Sequence, residues 1–285
     1  MMNKRSPFLI SVLCFGMAFL YVPILIMIFY SFNDSRYVNV WGGFSTRWYG
    51  VLLESEPIWS AAFLSLRIAL VNATAAMLLG TLAGLALVRF GQFKGRTLFA
   101  GMITAPLVMP EVITGLSLLL LFIFMEDLFG WPSERGFTTI TIAHITFSMA
   151  YVCVIIQSRL AGMQQDLEEA AMDLGGKPLR VLWDITLPII APGMVAGWLL
   201  AFTLSLDDLV IASFVSGPGA NTLPILIYSK MKLGIKPDIN ALATIIIAFV
   251  TFGIIVAGWL MFRQERQRGL DMQMAAVEKF KSDSL

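Results

Sequence analysis

The chain has 285 residues, of which 58% are hydrophobic and 14% are charged, and its formal net charge at pH 7 is +1. Because soluble domains carry about 25% charged residues, this composition excludes an intrinsically disordered chain and argues against a soluble enzyme. A net charge this small also argues against a nucleic acid as the main partner. The chain is therefore best divided into membrane spans.

Six stretches of the sequence are long and apolar enough to cross a membrane, since a crossing helix needs about 20 mostly apolar residues. They predict an all-α integral membrane protein in contact with lipid, in which residues 1–285 form one transmembrane domain. The approximate bounds of the six spans are residues 8–32, 60–88, 97–124, 138–158, 189–214 and 241–262.

The positive charges predict how these spans are oriented. If the amino terminus lies inside, the inner segments carry about twice as many Lys and Arg residues as the outer segments, in agreement with the positive-inside rule. We therefore expect a multi-pass protein with both its amino and its carboxyl terminus in the cytoplasm.

Several kinds of catalytic chemistry have no counterpart in the sequence. The single histidine, His144, lies inside the fourth span, where we expect it to be buried and bonded to a neighbouring helix. The sequence has no metal-ligand cluster and no nucleophile elbow, and Gly176-Lys177-Pro178 is only an incomplete match to a phosphate-binding loop. We expect no enzyme activity, no catalytic residues, no metal and no cofactor in this chain. If ATP is used, another chain must bind it.

The third span contains two prolines four residues apart, Pro106 and Pro110. They predict a kink or a break in the helix, and interrupted spans often mark the binding sites and gates of transporters. Glu111 follows directly. Because an ionisable side chain in a span costs about 2.5–3.5 kcal/mol on insertion scales, Glu111 is a functional candidate.

The fifth span carries two adjacent acids, Asp207 and Asp208, which would point about 100° apart on a continuous helix. With Glu111 they could line a path for a cation, and the ring of Trp198 is available for a cation–π contact. In the structural alternative, the acids pair with Arg67, with serine or with backbone groups and hold subunits together. Both interpretations remain open from the sequence.

Residues 166–188 connect the fourth and fifth spans on the inner side. Acidic residues and strong helix formers at the start predict a short helix that ends at Gly175 and Gly176. Pro178 suits the first turn of a second short helix, and Pro188 should break that helix before the fifth span. From local physics alone, this connecting segment (residues 166–188) could be a plain helical connector.

The connecting segment also resembles the signature loop of ABC importer permeases in its residues, their spacing and its place between spans four and five. The matching residues are Glu169, Ala170, Ala171, Gly175, Ile185, Leu187 and Pro188. The resemblance implies a type I ABC importer permease with six transmembrane helices and a cytoplasmic coupling helix between helices 4 and 5. It also implies that residues 169–175 dock on an ATPase dimer, which binds the ATP.

Further stretches resemble the spermidine/putrescine branch of this family, namely residues 105–110, 204–214, 217–219, 223–224 and 240–244. The resemblance implies a bacterial inner-membrane permease that takes up polyamine, putrescine first and spermidine second, by alternating access. Its partners would be a second permease of different sequence and a periplasmic polyamine-binding protein. The alternatives are the same kind of permease for another small solute, a stand-alone channel or ion-coupled carrier, and a membrane enzyme.

Overall fold

The structure of the chain, a computed structural model, describes residues 7–37, 40–163, 166–234 and 237–253, and beyond them residues 255 and 259. The chain forms two compact units, residues 1–55 with 230–285 and residues 56–229. The single transmembrane domain stays a prediction. The residues before 7 and after 259, which carry part of the charge bias used for orientation, lie outside the described residues.

Apart from an isolated bridge between Asn33 and Phe44, the regular structure of the described residues is helical, which confirms the all-α class. The helices in chain order are α1 (Pro7–Tyr30), α2 (Arg47–Leu53), α3 (Glu56–Arg89), α4 (Arg96–Val108), α5 (Glu111–Phe129), α6 (Phe137–Ala161), α7 (Asp166–Asp173), α8 (Pro178–Val181), α9 (Leu187–Asp207), α10 (Val210–Val215), α11 (Leu223–Leu233) and α12 (Pro237–Gly253).

Within the described part of the chain, five helical stretches are long and apolar enough to cross a membrane. They are Phe8–Tyr30, Glu56–Arg89, Glu111–Phe129, Phe137–Ala161 and Pro178–Asp207. The first, second and fourth predicted spans each correspond to one of these stretches. The third is divided into two helices, as its prolines predict, because α4 ends at Val108 and α5 begins at Glu111. The sixth falls partly outside the described residues, and α12 covers its first part.

In the first unit, a buried asparagine organises the loop between α1 and α2. Asn33 Oδ1 accepts hydrogen bonds from the backbone N–H groups of Ser35 (3.1 Å) and Gly42 (2.8 Å). Its Nδ2 donates to the carbonyl of Val40 at 2.7 Å, and its own carbonyl accepts a bond from Trp48 Nε1 at 2.7 Å. These bonds satisfy the buried amide of Asn33 and link it to described residues on both sides of the loop.

In the second unit, α3, α6 and α9 pack together through small residues. A Cβ atom on Gly80 of α3 would lie 2.7 Å from Val152 Cβ of α6, so only glycine permits this separation of the two helices. Close approach of this kind stabilises helix pairs in membranes. Asn72 adds polar links, because its Nδ2 donates to the Ala201 carbonyl (2.8 Å) and to Ser148 Oγ (3.2 Å).

Candidate functional site

Two helices of the second unit are interrupted, and the helices that follow the two breaks pack against each other. At the first break, Met109 and Pro110 are extended, with ψ angles of 136° and 134°. Pro110 disfavours helical geometry at the residue before it, and the predicted break in the third span is confirmed. At the second break, α10 lies on α5, where a Cβ on Gly115 would meet Phe214 Cδ2 at 2.8 Å.

The second break corrects the predicted end of the fifth span. Helix α9 ends at Asp207, and Asp208 has extended backbone with ψ 123°. The two acids therefore do not share a helix, and their predicted separation of about 100° does not apply. The physical reason is that aspartate competes with the helix by bonding to nearby backbone groups.

The carboxylate of Asp208 is committed to contacts within the protein. Its Oδ1 and Oδ2 accept hydrogen bonds from the N–H groups of Ile211 (3.2 Å) and Ala212 (2.7 Å), which caps α10. Its Oδ2 also lies 3.0 Å from His144 Nε2, and His144 Nδ1 lies 2.7 Å from Ser205 Oγ. His144 is 2% exposed, so the expectation of a buried histidine bonded to a neighbouring helix is confirmed.

The other two acids stand at helix ends with their side chains exposed. Asp207 is the last residue of α9, and Glu111 is the first residue of α5. Arg67, the partner suggested for these acids, instead has its Cζ 4.5 Å from the centroid of the Phe137 ring. The structure thus separates the three acids into two exposed carboxylates and the largely covered carboxylate of Asp208, whose side chain is 10% exposed.

Trp198 lies on the same helix as Asp207, about 14 Å away along its axis. Its ring stacks on Phe202 with centroids 5.3 Å apart and an interplanar angle of 9°. Its Nε1 donates a hydrogen bond to Thr74 Oγ1 at 3.2 Å. The ring is half-buried, so one part of its surface remains open to a partner or a ligand.

The first half of the connecting segment has the predicted form. Helix α7 ends at Asp173, Gly175 follows with φ +87°, and Pro178 begins α8. Positive φ at Gly175 is a conformation that residues with a Cβ rarely adopt, which explains why the helix stops there. Four of the seven residues that match the signature loop are exposed: Glu169, Ala170, Gly175 and Pro188. The other three are half-buried: Ala171, Ile185 and Leu187.

The predicted break at Pro188 is wrong. The chain is helical without interruption from Pro178 to Asp207, and residues Leu182–Thr186 form a π-helical turn just before Pro188. A proline inside an α-helix lacks an N–H and clashes with the carbonyl four residues earlier. The wider π turn redirects the hydrogen bonds there, so the helix accommodates the proline instead of ending.

Glu168, which precedes the predicted docking residues, is a site residue that the sequence did not indicate. Its side chain is buried, its Oε2 lies 2.9 Å from Arg89 Nε, and its Oε1 accepts a hydrogen bond from Thr186 Oγ1 at 2.6 Å. Glu168 therefore links α7 to the end of α3 and to the π turn. A single sequence carries no signal that separates the buried Glu168 from the exposed Glu169 beside it.

A multi-pass bundle with interrupted spans and two short helices between spans is the architecture of a transport subunit rather than of an enzyme. The chain belongs to the family of binding-protein-dependent transport system inner membrane components, whose model matches residues 76–268. It is accordingly a multi-pass inner-membrane protein and a permease subunit of the ABC importer type.

Relatives and solved structures agree with this assignment. The chain is 58% identical over 271 residues to the putrescine transport system permease protein PotI of Escherichia coli strain K12, covering 95% of this chain and 96% of that one. It is 40% identical to the spermidine/putrescine transport system permease protein PotC of the same strain, covering 87% and 91%. A crystal structure of a bacterial ABC transporter that imports alginate has a TM-score of 0.67 at 16% identity, covering 92% and 98%.

Proposed function

We propose that this chain is a permease subunit of an ATP-driven importer of polyamines, with putrescine as the first substrate and spermidine as the second. The observation that carries the proposal is the 58% identity to a putrescine permease over nearly the whole of both chains. The same permease type for another solute, a stand-alone channel or ion-coupled carrier, and a membrane enzyme are not supported by any comparable observation.

The acids at the helix ends suggest where a polyamine cation passes. Asp207 adds a negative side chain to the carboxyl end of α9, which already carries the negative end of the helix dipole. Glu111 stands exposed at the start of α5, which packs against α10 just beyond Asp207. We assign Asp207 and Glu111 to the substrate path, with Trp198 as an aromatic contact for the cation. Asp208 instead stabilises the break between α9 and α10.

The connecting segment is proposed to face the cytoplasm, with both termini on the same side. Its exposed apolar side chains include Leu174 (91% exposed), Leu179 (72%) and Trp183 (68%), a surface that suits a protein partner. We propose that residues 169–175 dock on an ATPase dimer, which binds the ATP, and that Ile185, Leu187 and Pro188 support this element. A second permease of different sequence and a periplasmic polyamine-binding protein complete the importer.

The proposed cycle is alternating access. The loaded binding protein docks on the outer loops, and closure of the ATPase dimer moves the connecting segment. The gate between the two permeases then opens outward, and the cation enters. Asp207 and Glu111 give a weak, transient site, because a site that bound the cation tightly would delay its release.

Uptake of labelled putrescine in cells with and without this chain tests the proposal. We expect loss of uptake on deletion, and competition by excess spermidine but not by an amino acid. Unchanged uptake in cells that lack any other putrescine importer would overturn the polyamine assignment. Copurification of an ATPase with the tagged chain separates the importer from a stand-alone channel or carrier, which would be recovered without one.

A test of the path compares two exposed acids from different units of the chain. Asp207→Asn should reduce putrescine uptake, because it removes the exposed negative charge. The complex should assemble in normal amounts, because the substitution leaves the fold intact. Asp34→Asn, which removes an exposed carboxylate 3.7 Å from Arg47 in the other unit, serves as the control and should leave uptake unchanged. Equal uptake by the Asp207 variant and the wild type would remove Asp207 from the path.

A further inference from the structure

Glu168 joins three elements that are separate in the sequence. Glu168 lies on α7, and its carboxylate contacts Arg89, the last residue of α3. The same carboxylate accepts a hydrogen bond from the hydroxyl of Thr186, at the end of the π turn that leads into α9. Glu168 and Thr186 are both buried, with 8% and 2% of their surfaces exposed. A buried carboxylate that bonds to two elements positions both of them relative to its own helix.

The surroundings of this contact are loosely packed. A cavity of about 610 Å³ lies between the end of α3 and the connecting segment, and its wall includes Leu85, Phe90, Met172 and Leu182 as well as the ion pair. The ion pair is a direct side-chain link between α7 and α3 at the wall of this cavity. The open space lies beside Met172 of α7.

Two nitrogen atoms of the Arg89 guanidinium, Nε and Nη2, make no hydrogen bond within the described residues. Its Nε lies close to Glu168 Oε2 but not in hydrogen-bond geometry, and its buried Nη2 donates no hydrogen bond to any described residue. A buried charge that is paired yet incompletely hydrogen-bonded costs free energy. These donors remain available to new acceptors if the contact between Arg89 and Glu168 is rearranged.

We propose that Glu168 is a positioning residue that transmits the displacement of α7 to the second and fifth spans through Arg89 and Thr186. The inference rests on the proposed function, because it concerns how an attached ATPase drives the spans. Glu169, whose side chain is exposed, would contact the ATPase, whereas Glu168 would act behind it, inside the permease. The two adjacent acids then have different and separable roles.

The test uses the complete importer, purified through a tag on this chain and reconstituted in proteoliposomes with its binding protein. Putrescine uptake and ATP hydrolysis are measured in the same sample, and the ratio of putrescine moved to ATP hydrolysed is the readout. Glu168→Gln keeps an oxygen for Thr186 and removes the charge that faces Arg89. We expect this variant to keep its ATPase subunits and to hydrolyse ATP, while the ratio falls about fivefold or more, the lower end of typical coupling effects.

Thr186 gives an independent comparison. Thr186→Ser retains the hydroxyl that bonds to Glu168, and Thr186→Val removes it with little change of volume. We expect the serine variant to keep the wild-type ratio and the valine variant to lower it. The exposed-acid control is again Asp34→Asn, which should match the wild type. A wild-type ratio in both Glu168→Gln and Thr186→Val would overturn the inference, and so would loss of the ATPase from Glu168→Gln.

Amide hydrogen exchange provides a readout that needs no putrescine. In the wild-type complex, a non-hydrolysable ATP analogue should change exchange in residues 166–173, at the end of α3 and in the π turn together. In Glu168→Gln the change should be confined to residues 166–173. If the analogue changes amide exchange in all three segments of Glu168→Gln, as in the wild type, the inference is overturned. If the wild-type complex moves no putrescine but shows the joint change, the polyamine assignment fails and the inference about Glu168 stands.

Discussion

Replacing Asp208 should destabilise the protein, because its carboxylate is bonded on three sides. Asp208→Ala removes the cap of α10, which costs about 0.5–2 kcal/mol, and leaves buried His144 without its acceptor, which costs about 1–3 kcal/mol more. The expected loss of unfolding free energy is therefore about 1.5–5 kcal/mol. Asp208→Asn should lose less, since asparagine caps a helix as well as aspartate does.

The assay is thermal unfolding of the purified complex in detergent, followed by intrinsic fluorescence, with the amount of assembled complex measured in parallel. The order of midpoints should be wild type, then Asp208→Asn, then Asp208→Ala. Asp207→Asn is the matched comparison, because the neighbouring side chain is exposed, and its midpoint should equal that of the wild type. Wild-type stability of Asp208→Ala combined with loss of uptake would refute the structural assignment and return Asp208 to the substrate path.

Three further outcomes are expected. Gly80→Leu should force α3 away from Val152 and lower stability by about 1–3 kcal/mol, whereas Gly101→Leu, at a position with no atom within 4 Å of the added Cβ, should not; thermal unfolding measures both. Glu169→Lys should detach the ATPase, and copurification at wild-type level would contradict the docking role. Trp198→Phe should keep most putrescine uptake and Trp198→Leu should lose it, if the aromatic face contacts the cation.

The helical architecture could be predicted from hydropathy because a membrane permits few alternatives. Spans must be helical to satisfy their backbone groups, so the apolar runs indicated the helices of α1, α3 and α6 directly. Pro110 indicated the break before Glu111 for an equally local reason, since proline restricts the residue before it. These predictions depend only on neighbours in the sequence.

The errors arose where backbone hydrogen bonds can be rearranged. Pro188 was expected to break a helix by the rule that holds at Pro110, yet a π turn at residues 182–186 accommodates it. Asp208 was expected to lie within a helix. Instead α9 ends at Asp207, and the Asp208 side chain caps the next helix, α10. In both cases more than one local backbone arrangement is compatible with the sequence.

The contacts of the candidate site could not be predicted because they join distant parts of the chain. Glu168 differs from Glu169 only through its two partners, one at the end of α3 and one in the π turn. Asp208 differs from Asp207 through His144, which lies on α6. Since a single sequence carries no information on which helices adjoin, adjacent identical residues could not be given different roles.

One helix connects the two places where polar chemistry is concentrated in the second unit. The continuous stretch Pro178–Asp207 has 30 residues. Within it, Thr186, which bonds to Glu168, and Asp207, which ends the stretch, lie about 32 Å apart along the axis. Along it, Gly197 packs so closely on α6 that a Cβ there would lie 3.1 Å from Val152 Cγ1. Such close approach holds the helix against α6. Under the proposed function, a displacement transmitted to Thr186 therefore reaches Asp207 through a helix that stays continuous past Pro188 and Pro192.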